Sequence, residues 1–185
     1  MQYKVSMYGG AFDPPHTGHM NCIIKAASVC EELYVVLSYS RKRDRIPMEL
    51  RYRWLYNSFL HMPNVHIILL EDAEETKADY DTDKAWESGR DEVLRQISRN
   101  VDVVFCGSDY RGTNRYEGLY GCPVIYFERG ECPVSSSEIM QDPFRNWNYI
   151  PGIVKPFFVK KRSSDWRGKY GKINSGTESR IGIQA

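Results

Sequence analysis

No stretch of this chain is apolar for long enough to cross a bilayer. The longest apolar runs, such as Val65 to Leu70, fall far short of the roughly 20 residues a spanning helix needs. The opening Met-Gln-Tyr-Lys-Val leads straight toward a strand with no leader-like apolar region, so a cytoplasmic protein with no membrane partner is expected. Neither sign of charge is in excess: 25 Lys and Arg face 24 Asp and Glu, for a net charge of +1. That balance gives no reason to expect a nucleic-acid partner. There is no Cys-x-x-Cys pair. The five cysteines (Cys22, Cys30, Cys106, Cys122 and Cys132) are an odd number at irregular spacings. They read as free thiols acting as small hydrophobes in a reducing compartment. Histidine is scarce as well, with four residues in all.

What is present is an ordinary globular composition, 42% apolar and 26% charged over 185 residues, enough for one compact domain. Lys4 to Tyr8 alternates weakly and stops at Gly9-Gly10, as a strand entering a tight turn does. Met20, Ile23, Ile24, Ala27 and Cys30 then recur at helical spacing, and Leu33 to Leu37 suits a buried parallel strand. Pro47 opens a second helix with Leu50, Trp54, Leu55 and Phe59 on one side. The strand Val65 to Leu70 follows, then an acidic loop from Glu71 to Asp83 and a helix carrying Trp86, Val93, Leu94 and Ile97. Val101 to Cys106 and Val124 to Phe127 supply two more strands, and Ser135-Ser136-Ser137-Glu138 starts a last short helix. Alternating strands and helices imply right-handed crossovers. The expected fold is therefore α/β, a Rossmann-like doubly wound parallel sheet of about five strands with helices on both faces. Ligands in such sheets sit at the carboxyl ends of the strands. That edge would hold both the glycine turn and the turn Cys106-Gly107-Ser108-Asp109.

The residues most suited to chemistry run from Gly9 through Ala11-Phe12-Asp13-Pro14-Pro15 to His16-Thr17-Gly18-His19. Two glycines allow close approach of backbone to a phosphate, and two prolines stiffen the turn. A helix beginning near Gly18 presents free amides and its positive dipole end to an anion. His16 and His19, three apart, can face the same bound phosphate and donate to oxygens that gain charge during transfer. A zinc site is the usual rival for H-x-x-H, but zinc needs a third and fourth ligand. The other histidines, His61 and His66, belong to a different segment, so no protein-held metal is expected.

These residues resemble the G-x-F-x-P-x-H-x-G-H signature of the nucleotidyltransferase superfamily, typified by cytidylyltransferases and adenylyltransferases, with matches at Gly10, Phe12, Pro14, His16, Gly18 and His19. A second family element, I-S-S-T-x-I-R, is similar to Val134-Ser135-Ser136-Ser137-Glu138-Ile139-Met140. In the family that helix start grips the β- and γ-phosphates of the nucleotide; simple capping is the structural alternative. The stretch Asp142 to Pro151, Pro156 to Lys160 and the turn Val104 to Tyr110 resemble one branch, the adenylyltransferase half of the bifunctional nicotinamide-nucleotide adenylyltransferase/ribosylnicotinamide kinase.

The resemblance implies adenylyl transfer from ATP to nicotinamide mononucleotide (NMN), giving NAD and pyrophosphate, with Mg²⁺ on the triphosphate. His16 and His19 would be catalytic, and Gly9, Gly10, Phe12, Ser135, Ser136 and Ser137 would join them in binding ATP. Weaker candidates for the acceptor are Lys42 and Arg43 after the second strand, Arg51, Trp86 and Asp109. For Lys42 and Arg43 a solvated surface run is the plain alternative, and for Trp86 core packing is. Two departures stand out. Met140 occupies the place of the motif's final Arg, which removes a bidentate phosphate donor. Beyond the expected domain, 1–159, residues 160–185 form a basic Gly/Ser-rich stretch, expected to be a flexible tail. There Gly176-Thr177-Glu178-Ser179 lacks a following Gly-Lys-Ser/Thr, so no kinase activity is expected. Two other functions stay open: a nucleotidyltransferase with another phosphorylated acceptor (phosphopantetheine or a phospho-alcohol), and a non-catalytic nucleotide-binding regulator.

Overall fold

Side chains alternate across three central strands, and this alternation builds a core on each side of the sheet. A computed structural model of the chain describes residues 2–72, 74, 76–108, 111–112, 116–128 and 132–160. Strands β1 (Tyr3–Gly10), β2 (Cys30–Tyr39), β3 (Val65–Glu71), β4 (Val103–Gly107) and β5 (Val124–Phe127) pair in the order β3-β2-β1-β4-β5. Every pairing is parallel, which makes the fold a Rossmann-like α/β sheet.

On one face Tyr8, Leu33, Val35, Leu37, Val103 and Phe105 pack with Ile23 and Ala26 of α1 (Thr17–Ala27) and with Leu55 and Phe59 of α2 (Met48–Phe59). On the other face Val5, Met7, Val36 and Val104 meet Val93 and Ile97 of α4 (Asp83–Ile97). Each such apolar side chain contributes roughly 1.5–3 kcal/mol when fully buried. A third cluster (Ile46, Trp54, Cys132, Val134, Ile139, Ile150, Val154 and Phe158) seals α5 (Ser136–Gln141) and the following chain against α2. Trp54 is therefore a core residue.

Four boundaries differ from expectation, each for a local reason. Cys30 starts β2 instead of ending α1, because the chain turns at Ser28, whose hydroxyl donates to the Lys25 carbonyl at 2.7 Å. Pro47 is the N-cap of α2 and not its first helical residue, with extended ψ of 138°. Pairing of β4 begins at Val103, because the Asp102 carboxylate turns back to accept the Lys4 and Val5 amides, both at 2.9 Å. Within the acidic loop a four-residue helix, α3 (Lys77–Tyr80), forms one turn, too short to leave a periodic trace.

The strand order reverses between β1 and β4. A crevice for a ligand opens at such a switch point, beyond the carboxyl ends of the strands. Gly9 and Gly10 end β1 there, and Gly107 ends β4.

Candidate active site

The turn leaving β1 is clamped from below by two arginines. Arg51 of α2 is fully buried and donates to the Ala11 carbonyl at 2.5 Å and to the Asp44 carboxylate. Arg45 donates through its backbone amide and Nε to Asp13 Oδ2, at 3.0 and 3.2 Å, and through Nη2 to the Asp13 carbonyl at 2.7 Å. Phe12 between them has φ of 51° and is buried beneath the turn. Its ring lies 3.2 Å from where a Cβ on Gly10 would stand. From the far end of the domain, Ser136 Oγ donates to the Pro14 carbonyl at 2.8 Å. The turn is thus pinned at residues 11, 13 and 14, as a preformed anion cradle requires.

Directly after it, His16 is the N-cap of α1, and the first turn of that helix carries no acidic residue to oppose an anion. The His16 backbone N–H donates to His19 Nδ1 at 3.3 Å, and the two rings lie 3.7 Å apart, centroid to centroid. His19 also meets the edge of the Phe12 ring at 5.0 Å. The histidine pair is thus brought together as the spacing suggests, but unequally: His16 is buried, at 2% exposure, and His19 is half-buried. The Nδ1 of His16 faces the Cys132 sulfur at 3.5 Å.

At α5, Ser135 and Glu138 form a capping box. Glu138 Oε2 accepts from the Ser135 amide and hydroxyl, both at 2.7 Å, while Ser135 Oγ accepts the Glu138 amide at 3.2 Å. Ser135 thus caps its own helix, Ser136 ties it to the glycine turn, and Ser137 is exposed. Met140 is half-buried against the cluster around Trp54 and Ile139.

Trp86 and Tyr116 meet edge to face at 5.3 Å, and both line a small cavity of about 30 Å³ beside Gly9 and Gly10. A Cβ on Gly9 would lie 2.3 Å from the Tyr116 hydroxyl, so glycine is what lets the tyrosine settle on the backbone here. After β2, Arg43 is ion-paired with the buried Asp72 and donates to the Glu74 carbonyl at 3.3 Å, while Lys42 is exposed. Arg41 pairs with Glu71 at 2.9 Å; the Tyr39 hydroxyl, with Glu71, holds its guanidinium above the ordinary arginine value. Asp109 lies outside the described residues. Sequence reasoning missed Asp13, Asp44, Arg45, Tyr116 and Cys132. Only Asp13 carried a signal, as part of the turn motif.

The chain matches the cytidylyltransferase-like family over residues 7–155. It is 28% identical over 164 residues to the trifunctional NAD biosynthesis/regulator protein NadR of Escherichia coli (strain K12), a match covering 82% of this chain and 40% of NadR. The chain thus spans about two fifths of that relative's length. It is also 28% identical over 121 residues to the phosphopantetheine adenylyltransferase of Mycoplasma mycoides subsp. mycoides SC, covering 58% of this chain and 86% of that protein. Among solved structures, it is similar to a bifunctional NMN adenylyltransferase/ADP ribose pyrophosphatase from Francisella tularensis, complexed with AMP and a manganese ion. The TM-score there is 0.65 at 16% identity, over 97% of this chain and 58% of the other, a likeness of fold. No helix among the described residues is long and apolar enough to cross a membrane, and all five cysteines are free thiols.

Proposed function

Since the chain belongs to the cytidylyltransferase-like family of nucleotidyltransferases, we propose that it transfers the adenylyl group of ATP to NMN in the cytoplasm, forming NAD and pyrophosphate. The observation that carries this reading is the His16–His19 pair at the start of α1, directly after a glycine turn pinned by Arg45, Arg51 and Ser136. Such transfer calls for positioning and charge stabilisation and needs no covalent intermediate. The NMN phosphate oxygen attacks the α-phosphorus of ATP in line, and the bond from that phosphorus to the β-phosphate oxygen breaks. Gly9 and Gly10 shape the ATP-binding turn by letting Tyr116 and Phe12 pack against its backbone, and Phe12 forms the floor beneath the phosphates. His16 and His19 donate to the oxygens that gain charge. Ser135, Ser136 and Ser137 border the departing pyrophosphate, with Ser137 the exposed hydroxyl of the three.

Among the described residues no group of three or more His, Cys, Asp or Glu is arranged to hold a metal. In this reading Mg²⁺ arrives on the triphosphate, since this ion is commonly held by substrate phosphates and water. Bound there it would offset the charge of the leaving pyrophosphate.

Trp86, beside the glycine turn, favours the nicotinamide acceptor, because an aromatic face attracts a flat cationic ring. The cavity has room for about two waters, so ring entry would require Tyr116 to move. Lys42 and Asp109 are the remaining candidates for acceptor contacts; Arg51 acts through the turn and Arg43 through Asp72. The relative named a phosphopantetheine adenylyltransferase supports a second reading, in which only the acceptor differs. Pyrophosphate release should be measured with ATP, Mg²⁺ and either NMN or phosphopantetheine. Release with NMN accompanied by NAD supports the first reading, release with phosphopantetheine alone the second, and release with neither rules out both.

A further inference from the structure

We infer that this chain forms a two-fold symmetric dimer in which β3 pairs antiparallel with β3 of a second copy and the exposed side of α2 packs on its symmetry mate. β3 closes one end of the sheet, so its outer edge has no neighbouring strand among the described residues. Bonds to β2 fix which residues face outward. The Asn64 carbonyl accepts the Leu33 N–H at 2.8 Å, and the Asp72 N–H donates to the Tyr39 carbonyl at 2.7 Å. Even-numbered residues of β3 thus turn their backbone groups toward β2, and Val65, Ile67 and Leu69 turn theirs outward. Such an edge is ordinarily blunted by Lys, Pro or a bulge. The sequence Val65-His66-Ile67-Ile68-Leu69-Leu70-Glu71 contains neither Lys nor Pro, and it runs in unbroken register with β2.

The pattern of open and occupied groups on this edge matches a second copy of itself. Val65 N–H is occupied, donating to the Met62 carbonyl at 3.0 Å, and the Leu69 carbonyl is occupied by Gln96 Nε2 at 2.9 Å. Under a two-fold axis through Ile67, Val65 of one copy stands opposite Leu69 of the other. The occupied groups then face each other, and the open Val65 carbonyl meets the open Leu69 N–H. At the axis each Ile67 N–H meets the Ile67 carbonyl of the other copy. The same axis brings α2 alongside its mate, because α2 lies on the sheet face that carries the Val65, Ile67 and Leu69 side chains. Between α2 and β3 runs a groove of about 340 Å³ whose lining includes Tyr52, Tyr56, Leu60 and Ile67 but no Asp, Glu, Lys or Arg. Identical surfaces can meet there without like-charge repulsion. Tyr56 and Leu60, 46% and 53% exposed, are the large apolar side chains that the mate would cover. Two-fold pairing is closed, so it also stops the edge from recruiting further strands.

Sedimentation equilibrium of the full-length chain tests this. At micromolar concentration the wild type should sediment as a dimer. Leu60→Glu sets like charges across the axis and should weaken association at least about a hundredfold, leaving a monomer that still unfolds cooperatively. Ile67→Pro removes the donor at the axis and no bond to β2, a change that an edge strand tolerates, and it should likewise weaken the dimer. The register is read by Ile67→Cys. Opposed residues of a hydrogen-bonded antiparallel pair stand about 5.5 Å apart at Cα, within reach of a disulfide. Oxidised glutathione, which takes up both thiol hydrogens, should therefore convert this variant to a covalent dimer. The wild type, whose Cys22, Cys30, Cys106 and Cys132 are buried, should not be cross-linked. A wild-type chain that sediments as a monomer overturns the inference, and so does a dimer that Leu60→Glu leaves intact. Failure of Ile67→Cys to cross-link overturns it as well, because paired β3 edges put that position on the axis. If Leu60→Glu does not fold, the cross-link decides.

Discussion

His19 reaches back over His16: its Nδ1 accepts the His16 backbone N–H at 3.3 Å, and the two imidazoles lie 3.7 Å apart. One nitrogen of His19 is therefore structural, and in the proposed reaction the other donates to phosphate. Asparagine separates the two roles, because its amide oxygen can replace Nδ1 while nothing replaces Nε2. His19→Asn should keep the melting temperature close to wild type and lower kcat on the order of a hundredfold, the typical cost of one lost transition-state donor. Near-normal turnover would remove His19 from the mechanism.

Glu138 places a carboxylate at the start of α5, where the proposed pyrophosphate site needs positive potential. Glutamine completes a capping box as well as glutamate does. Glu138→Gln should therefore preserve the helix and lower KM for ATP about two- to fivefold, as expected for removing a charge worth 0.3–1 kcal/mol at a helix end. A higher KM would mean that the carboxylate assists binding.

Arg51 is a buried cation whose Nη atoms are taken by Ala11 and Asp44. Methionine fills similar space but leaves Asp44 without its partner. Arg51→Met should cost about 3 kcal/mol, which for a domain of this size lowers Tm by roughly 6–12 °C. Calorimetry showing a shift of a degree or two would mean that the turn holds its shape without this clamp.

Gly18→Ala brings two opposing effects into one residue. Alanine gains about 1 kcal/mol in helix propensity, while crowding His16 and Cys132 costs roughly 1–3 kcal/mol. The balance is a loss of up to about 2 kcal/mol, small enough for the domain to stay folded. Activity has no such compensation, because the crowded atoms include the buried imidazole. The variant should remain folded by circular dichroism and lose at least about tenfold in kcat. Unimpaired turnover would show that the spacing of His16 and Cys132 does not matter.

The strands were readable in the sequence because each is a short apolar run between turn residues. β5 falls on Val124–Phe127 as expected, and β2 encloses the predicted Leu33 to Leu37. The histidine pair was readable for a similar reason, since three residues along a helix start bring two side chains to one end. Contacts across the fold leave no such trace. Arg45 reaches Asp13 over 32 residues, and Cys132 reaches His16 over 116. Neither arginine nor cysteine recurs at a period that would mark its partner. Arg51 looked like a possible ligand for substrate phosphate, yet its burial ties both Nη atoms to the protein. Charge alone cannot distinguish a buttress from a binding residue; depth does.

The 122 residues between Pro14 and Ser136 also put the two halves of the site on different clocks. At a synthesis rate of about 5–20 residues per second, roughly 6 to 24 seconds pass on the ribosome between the two. During that interval the nascent chain already carries both histidines but has neither Cys132 nor the serine that closes the turn. The proposed phosphate cradle is begun first and completed last, so a chain interrupted during synthesis is left with an unpinned turn.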